Sequence, residues 1–114
     1  MSPVSQASRV ALPGSAHVFS ALGDETRLRL IASLCTGGSM SITQLTEGTD
    51  YTRQAITKHL DVLAEAGLVH GRKAGRERLW QLDPNPLDEA RRSLELIASH
   101  WDNALARLKG AVEK

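Results

Sequence analysis

Apolar positions in this chain recur at helical spacing in several short stretches separated by glycine. Val18, Phe19 and Leu22 form one apolar stripe of a short helix that Gly23 ends. Asp24 is placed to cap a second helix, in which Leu28, Ile31, Leu34 and Cys35 recur until Gly37-Gly38. Ser41 caps a third short helix with Ile42 and Leu45 inward and Gly48 after it. Gly48-Thr49-Asp50-Tyr51 has turn composition. Thr52 then caps a helix with Ile56, Leu60 and Leu63 at i, i+4, i+7, a face widened by Ala55, Val62 and Ala66 and stopped by Gly67.

Beyond Gly67 the period changes. Residues 68–70 and 78–82 are short β-prone runs, and residues 72–76 between them turn through Gly75, which predicts a hairpin with a basic tip. Asp83-Pro84-Asn85-Pro86 breaks the second strand and opens a last helix, over about 86–110. Along it Leu87, Ala90, Leu94, Ile97, Trp101, Ala104, Leu108 and Ala111 are spaced alternately by three and four, a heptad seam. A helix of about 24 residues is roughly 36 Å long, more than so small a domain needs to cover its own core. The surplus seam predicts a second subunit, with Leu87, Leu94, Ile97, Trp101, Leu105 and Leu108 at the dimer interface.

The first fifteen residues, rich in Ser, Pro and Gly, read as a flexible tail, and residues 16–110 as one domain. A chain of 114 residues can bury a core without disulfides or a structural metal, though not by a wide margin. The lone Cys35 excludes an internal disulfide and, with no secretory signal pattern or membrane span, points to a soluble cytoplasmic protein. Net charge is only +1, but its distribution is uneven: residues 51–80 hold six basic and three acidic side chains, while the flanking segments are each slightly acidic.

Two helices joined by a tight turn and followed by a β-hairpin is the order of a winged helix-turn-helix, mainly α with a small β-hairpin. In that arrangement the second helix enters the DNA major groove. Thr52, Arg53, Gln54, Thr57 and Lys58 lie at its start, the last four on one side with Asp61. Arg and Lys donate to guanine, Gln pairs with adenine, and Thr meets a thymine methyl or a phosphate. Asp61 is expected to orient Lys58 or an arginine. Arg72, Lys73, Arg76 and Arg78 suit a wing on the flanking backbone, near a minor groove. The expected partners are double-stranded operator DNA and a second copy of the chain.

The segments FSALGDETRLRLIASL, QAITKHLDVLAEAGLV and GRERLWQLDP, in this order, resemble the ArsR/SmtB family of bacterial winged helix-turn-helix repressors over nearly the whole predicted domain. The resemblance implies a homodimer built from the first and last helices, bound to a partly palindromic operator in or near its own promoter. It also implies metal sensing in many members, and here the sequence departs. A thiolate sensor site needs Cys-x-Cys in the helix before the turn, which here reads SITQLTEG. In the last helix Asp88 is followed two residues on by Ala90 where a His is required, and His100 stands alone. The sequence therefore resembles the metal-independent branch, with no cofactor and an unknown effector.

Other residues have plainer readings. Cys35 reads as a small buried apolar residue, with redox sensing as its alternative. His59 reads as packed against the Leu60 and Leu63 side, Trp80 and Trp101 as core or interface residues. No Ser/His/Asp set, carboxylate pair or phosphate-binding glycine loop points to an enzyme. The alternative to a DNA-binding regulator is a winged helix used as a protein-interaction module, with only non-specific DNA affinity.

Overall fold

The structure is a computed structural model, and it describes residues 16–112. The predicted N-terminal tail falls outside the described residues. Helices α1 (Ala16–Leu22) and α2 (Glu25–Gly37) lead into a short strand β1 (Met40–Ser41) and helix α3 (Ile42–Thr46). Helix α4 (Arg53–Glu65), strands β2 (Val69–Ala74) and β3 (Glu77–Leu82) and the long α5 (Pro84–Val112) follow. Val18, Leu30, Leu34, Leu45, Ile56, Leu60, Leu63, Leu68, Val69 and Trp80 make one core at the centre of these elements.

The predicted caps form. Asp24 accepts from the Arg27 amide at 3.1 Å, and Ser41 and Gln44 make a reciprocal capping box on α3. At the other end of α4 the chain leaves through Gly67, at φ 77°, in a left-handed turn that costs glycine little. The Leu68 amide donates to the Leu63 carbonyl and the Gly67 amide to that of Ala64, both at 2.9 Å. This is a Schellman stop, and its two hydrophobic residues, Leu63 and Leu68, are both fully buried.

The sheet is three-stranded and antiparallel, in the order β1-β3-β2. The hairpin alone was legible. β1 is two residues long, too short for any alternation, and exists because Met40 and Ser41 lie against the open edge of β3 opposite Trp80 and Leu79. The hairpin strands also run further than the β-prone residues: Ala74 pairs with Glu77, leaving only Gly75-Arg76 as the loop. Gly75 alone has positive φ, 66°, the sign pattern of a type II′ turn.

Helix α2 is rotated from its predicted face. Leu30, Ile31 and Leu34 are buried, whereas Leu28 is 51% exposed and Cys35 is exposed, so the reading of Cys35 as a buried apolar residue is wrong. The cause is tertiary. The buried arc centres on the Leu30–Leu34 side, with the Thr26 hydroxyl hydrogen-bonded to the Tyr51 hydroxyl at 3.0 Å, and that turns Leu28 and Cys35 outward. Val62 likewise lies at the exposed margin of α4 instead of widening its core face.

Helix α5 is longer than predicted, at 29 residues or about 43 Å. Asp83 starts it by accepting from the Asn85 amide, and its second oxygen pairs with His70 at 2.9 Å, tying the base of the hairpin to the helix. Ala90 and Ser93 are buried and Leu87 packs against the core, but the remainder projects beyond it, giving overall dimensions of 66 × 33 × 21 Å.

The Asp24 cap makes stability pH-dependent in a definite direction. Its carboxyl is held below the ordinary 3.8, first by the Arg27 amide and then by the nearby charges of Arg27 and His59. A carboxyl depressed on folding stabilises fully above its unfolded value, and that contribution is lost as pH falls through the folded value. Asn caps about as well as Asp, so Asp24→Asn isolates the charge. Urea unfolding at fixed protein concentration should find the variant less stable at neutral pH and the difference closing as pH falls below the ordinary carboxyl value of 3.8. A difference constant with pH would contradict the assignment.

Candidate nucleic-acid interface

Helix α4 presents two unlike faces. Ile56, Leu60 and Leu63 are buried to within about 1% of complete, which fixes the rotation of the helix about its axis. Arg53, Gln54 and Lys58 are consequently exposed and Thr57 half-exposed, and these four residues line one shallow depression of about 510 Å³. Thr52, just before them, accepts from the Ala55 amide at 3.0 Å and so fixes where the helix begins. Thr57 donates its hydroxyl to the Arg53 carbonyl at 2.8 Å, which commits its proton to the helix and leaves its lone pairs and methyl group for a ligand. Arg53 reaches the other way, donating to the Thr43 hydroxyl of α3 at 3.3 Å.

Asp61 is exposed, and among the described residues it forms no ion pair, so it does not orient Lys58 or an arginine. The expectation failed because one helical turn between Lys58 and Asp61 brings the side chains near each other without requiring contact. His59 is half-buried against the α1–α2 junction: its Nδ1 lies 3.3 Å from Arg27 Nη1 and 3.8 Å from the Asp24 carboxylate. Arg27 also donates to the Ala21 carbonyl. Arg27 thus joins the end of α1, the start of α2 and the outer half of α4. Nothing in helical periodicity announces that role, since Arg27 looks like an ordinary first-turn residue.

The wing carries its charge on both faces. Register pairs Lys73 with Arg78 and Gly71 with Trp80, so these four share the face that runs down into the core. Arg72 pairs with Leu79 on the opposite face, and Arg76 occupies the turn. Arg72, Lys73, Arg76 and Arg78 are all exposed. Arg78 is the most constrained of them. Its guanidinium lies 5.1 Å from the centroid of the Trp80 ring, and it passes so close over Gly71 that a Cβ there would come within 2.6 Å of Nε. Trp80 is itself 3% exposed, with its indole N–H unpartnered among the described residues. The ring is thus a fixed platform for the cation, a link that sequence reasoning missed although Arg78 and Trp80 stand two apart on one strand.

Wing and helix meet at a second crevice, of about 280 Å³, lined by Ser41, Thr43, Arg53, Arg76, Glu77 and Arg78. None of Arg53, Lys58, Arg72, Lys73, Arg76 and Arg78 has a carboxylate partner among the described residues. Two arginines of α5 differ: Arg91 and Arg92 both pair with Asp88, and Arg91 also with Glu95. The Asp88 carboxyl is accordingly lowered, chiefly by its hydrogen bond from Arg91. Among the described residues no group of three or more His, Cys, Asp or Glu is arranged to hold a metal ion, and no helix is long and apolar enough to cross a membrane.

On the remainder of α5, Leu94, Ile97, Trp101, Leu105 and Leu108 are between 43% and 62% exposed. Leu87 differs from them in resting on the chain's own core. Beside this stripe Phe19 and Leu22 of α1 join Leu87, Ala90, Leu94 and Ala98 around a mostly apolar groove of about 420 Å³.

Comparison with known proteins agrees with this architecture. Residues 22–72 match the family model for a helix-turn-helix domain. An HTH-type transcriptional regulator of Mycobacterium tuberculosis is 37% identical over 89 residues, which cover 78% of this chain and 79% of that protein. The arsenical resistance operon repressor of Escherichia coli is 34% identical over 69 residues, 60% of this chain and 59% of the repressor. Among solved structures, an ArsR-like transcriptional regulator from Rhodococcus superposes with a TM-score of 0.69 at 39% identity, covering 83% of this chain and 89% of that one. With its capped α4, short winged sheet and these relatives, the chain belongs to the ArsR family of winged helix-turn-helix, DNA-binding transcriptional regulators.

Proposed function

We propose that the protein is a homodimeric repressor that binds a partly palindromic operator through α4 and the wing. The observation that carries this reading is the open face of α4, where Arg53, Gln54, Thr57 and Lys58 stand together and neither cation has a carboxylate partner among the described residues. Thr52 and Arg53, at the first turn, approach the backbone. Gln54 and Lys58 read base edges in the major groove, and the Thr57 methyl meets thymine. Arg72, Lys73, Arg76 and Arg78 hold the flanking backbone through a salt-sensitive attraction.

Repression is inferred from relatives named as repressors, such as the Escherichia coli arsenical resistance protein. A palindromic operator requires two-fold symmetry in the protein. The exposed stripe Leu94, Ile97, Trp101, Leu105 and Leu108, continuous with the α1 groove and with Leu87 at its edge, supplies a surface for the second copy. The chemistry of α5 favours a metal-independent regulator, since Asp88 is engaged by two arginines and Ala90 is packed in the core. The protein would act in the cytoplasm without a cofactor, under an effector still to be identified.

Two experiments test the reading. With a duplex selected from a random pool, Arg53→Ala plus Lys58→Ala should weaken binding by about 100-fold or more while the helical circular dichroism is retained. An unchanged affinity would place the DNA contacts elsewhere. Sedimentation should find the wild-type protein a dimer, and Ile97→Asp plus Trp101→Asp should convert it to a helical monomer. A variant that stays dimeric would remove α5 from the interface.

A further inference from the structure

We propose that Arg53 and Arg78 act as a single clamp on one DNA backbone phosphate, held in the crevice between the wing and the first turn of α4. The inference rests on the DNA-binding reading above and adds a unit that neither residue's position in the sequence suggests. The two arginines lie 25 residues apart in different elements, yet both line the same crevice, with the Ser41 and Thr43 hydroxyls beside them. At about 280 Å³ the crevice has room for a phosphodiester group and several waters of about 30 Å³ each.

Charge and order both favour an anion there. Three guanidinium groups, of Arg53, Arg76 and Arg78, border the crevice against one carboxylate, that of Glu77, and no ion pair among the described residues neutralises any of the three. A guanidinium presents a planar fork that matches two phosphate oxygens. The two clamp residues are also held before any ligand arrives. Arg78 is stacked on the immobile Trp80 ring and passes over the bare backbone of Gly71, and Arg53 is tied to the Thr43 hydroxyl. Side chains ordered in advance lose less entropy on binding.

Geometry then selects the ligand atom. A recognition helix occupies the major groove and a wing approaches the minor groove beside it. The strand of sugar and phosphate between those grooves is what a crevice between helix and wing must meet. Gly71 and Trp80 are positioning residues in this account, because they act only through Arg78.

The test is a double-mutant cycle on the selected duplex, combined with a scan in which single phosphates are replaced by uncharged methylphosphonate. Arg53→Ala and Arg78→Ala should each weaken binding roughly tenfold. Together they should cost little more than either alone, and the salt slope of the double variant should fall by about 0.9 for each bound subunit, the share of one phosphate per half-site. One methylphosphonate position should weaken the wild type yet leave both single variants unaffected. Gly71→Ala, which displaces Arg78 without touching the core, should lose affinity like Arg78→Ala and be insensitive at that same phosphate, with an unchanged melting temperature. Losses that multiply to roughly a hundredfold, or two different silent phosphates, would overturn the clamp and leave the regulator reading standing. A wild-type protein without duplex affinity would overturn both.

Discussion

The burial of Ile56, Leu60 and Leu63 under α4 is the constraint on which the rest of the interface depends. A helix with an ill-defined core face can rotate, and its outer side chains then have no fixed address. Here the three residues share one buried core with Leu68, Val69 and Trp80, and the Gly67 stop closes the helix directly onto the strand that follows. Rotation of α4 and the departure of the wing are thereby set by one packing arrangement. Truncating one of these buried leucines to Ala costs about 2–5 kcal/mol, a large share of the 5–15 kcal/mol that stabilises a typical domain.

Charge is arranged on that scaffold by what is left unpaired. The carboxylates Asp24, Asp83 and Asp88 are all used internally, as a cap, as a partner to His70 and as the anchor of Arg91 and Arg92. The arginines and lysines of α4 and the wing have no such partners among the described residues. A near-neutral chain can therefore present one cationic surface, which explains why its total charge says so little about DNA.

How much of this was legible in the sequence follows from how local each signal is. Caps at Asp24, Ser41 and Thr52, the stop at Gly67 and the i, i+4, i+7 face of α4 are written within a few residues, and all were readable. The orientation of α2 was not. Leu28, Ile31, Leu34 and Cys35 make as regular a stripe as Leu30, Ile31 and Leu34, and only contacts made by other elements choose between them. β1 is created by its neighbour's open edge, and Arg27 works through residues on α1 and α4. The candidate interface divides the same way: the exposed residues of α4 follow from its periodicity, whereas the stacking of Arg78 on Trp80 over Gly71 requires the strand register.

The most direct test of the account is fluorescence anisotropy of the purified protein on a duplex from its own upstream region and on a scrambled duplex, across a salt series. A regulator of this kind should prefer the first by at least about a thousandfold. Its affinity should also fall steeply with salt, as expected for contacts to several phosphates. Equal and weak binding to both, joined by failure to select any preferred duplex from a random pool, would contradict sequence-specific recognition and leave the fold as a protein-interaction module.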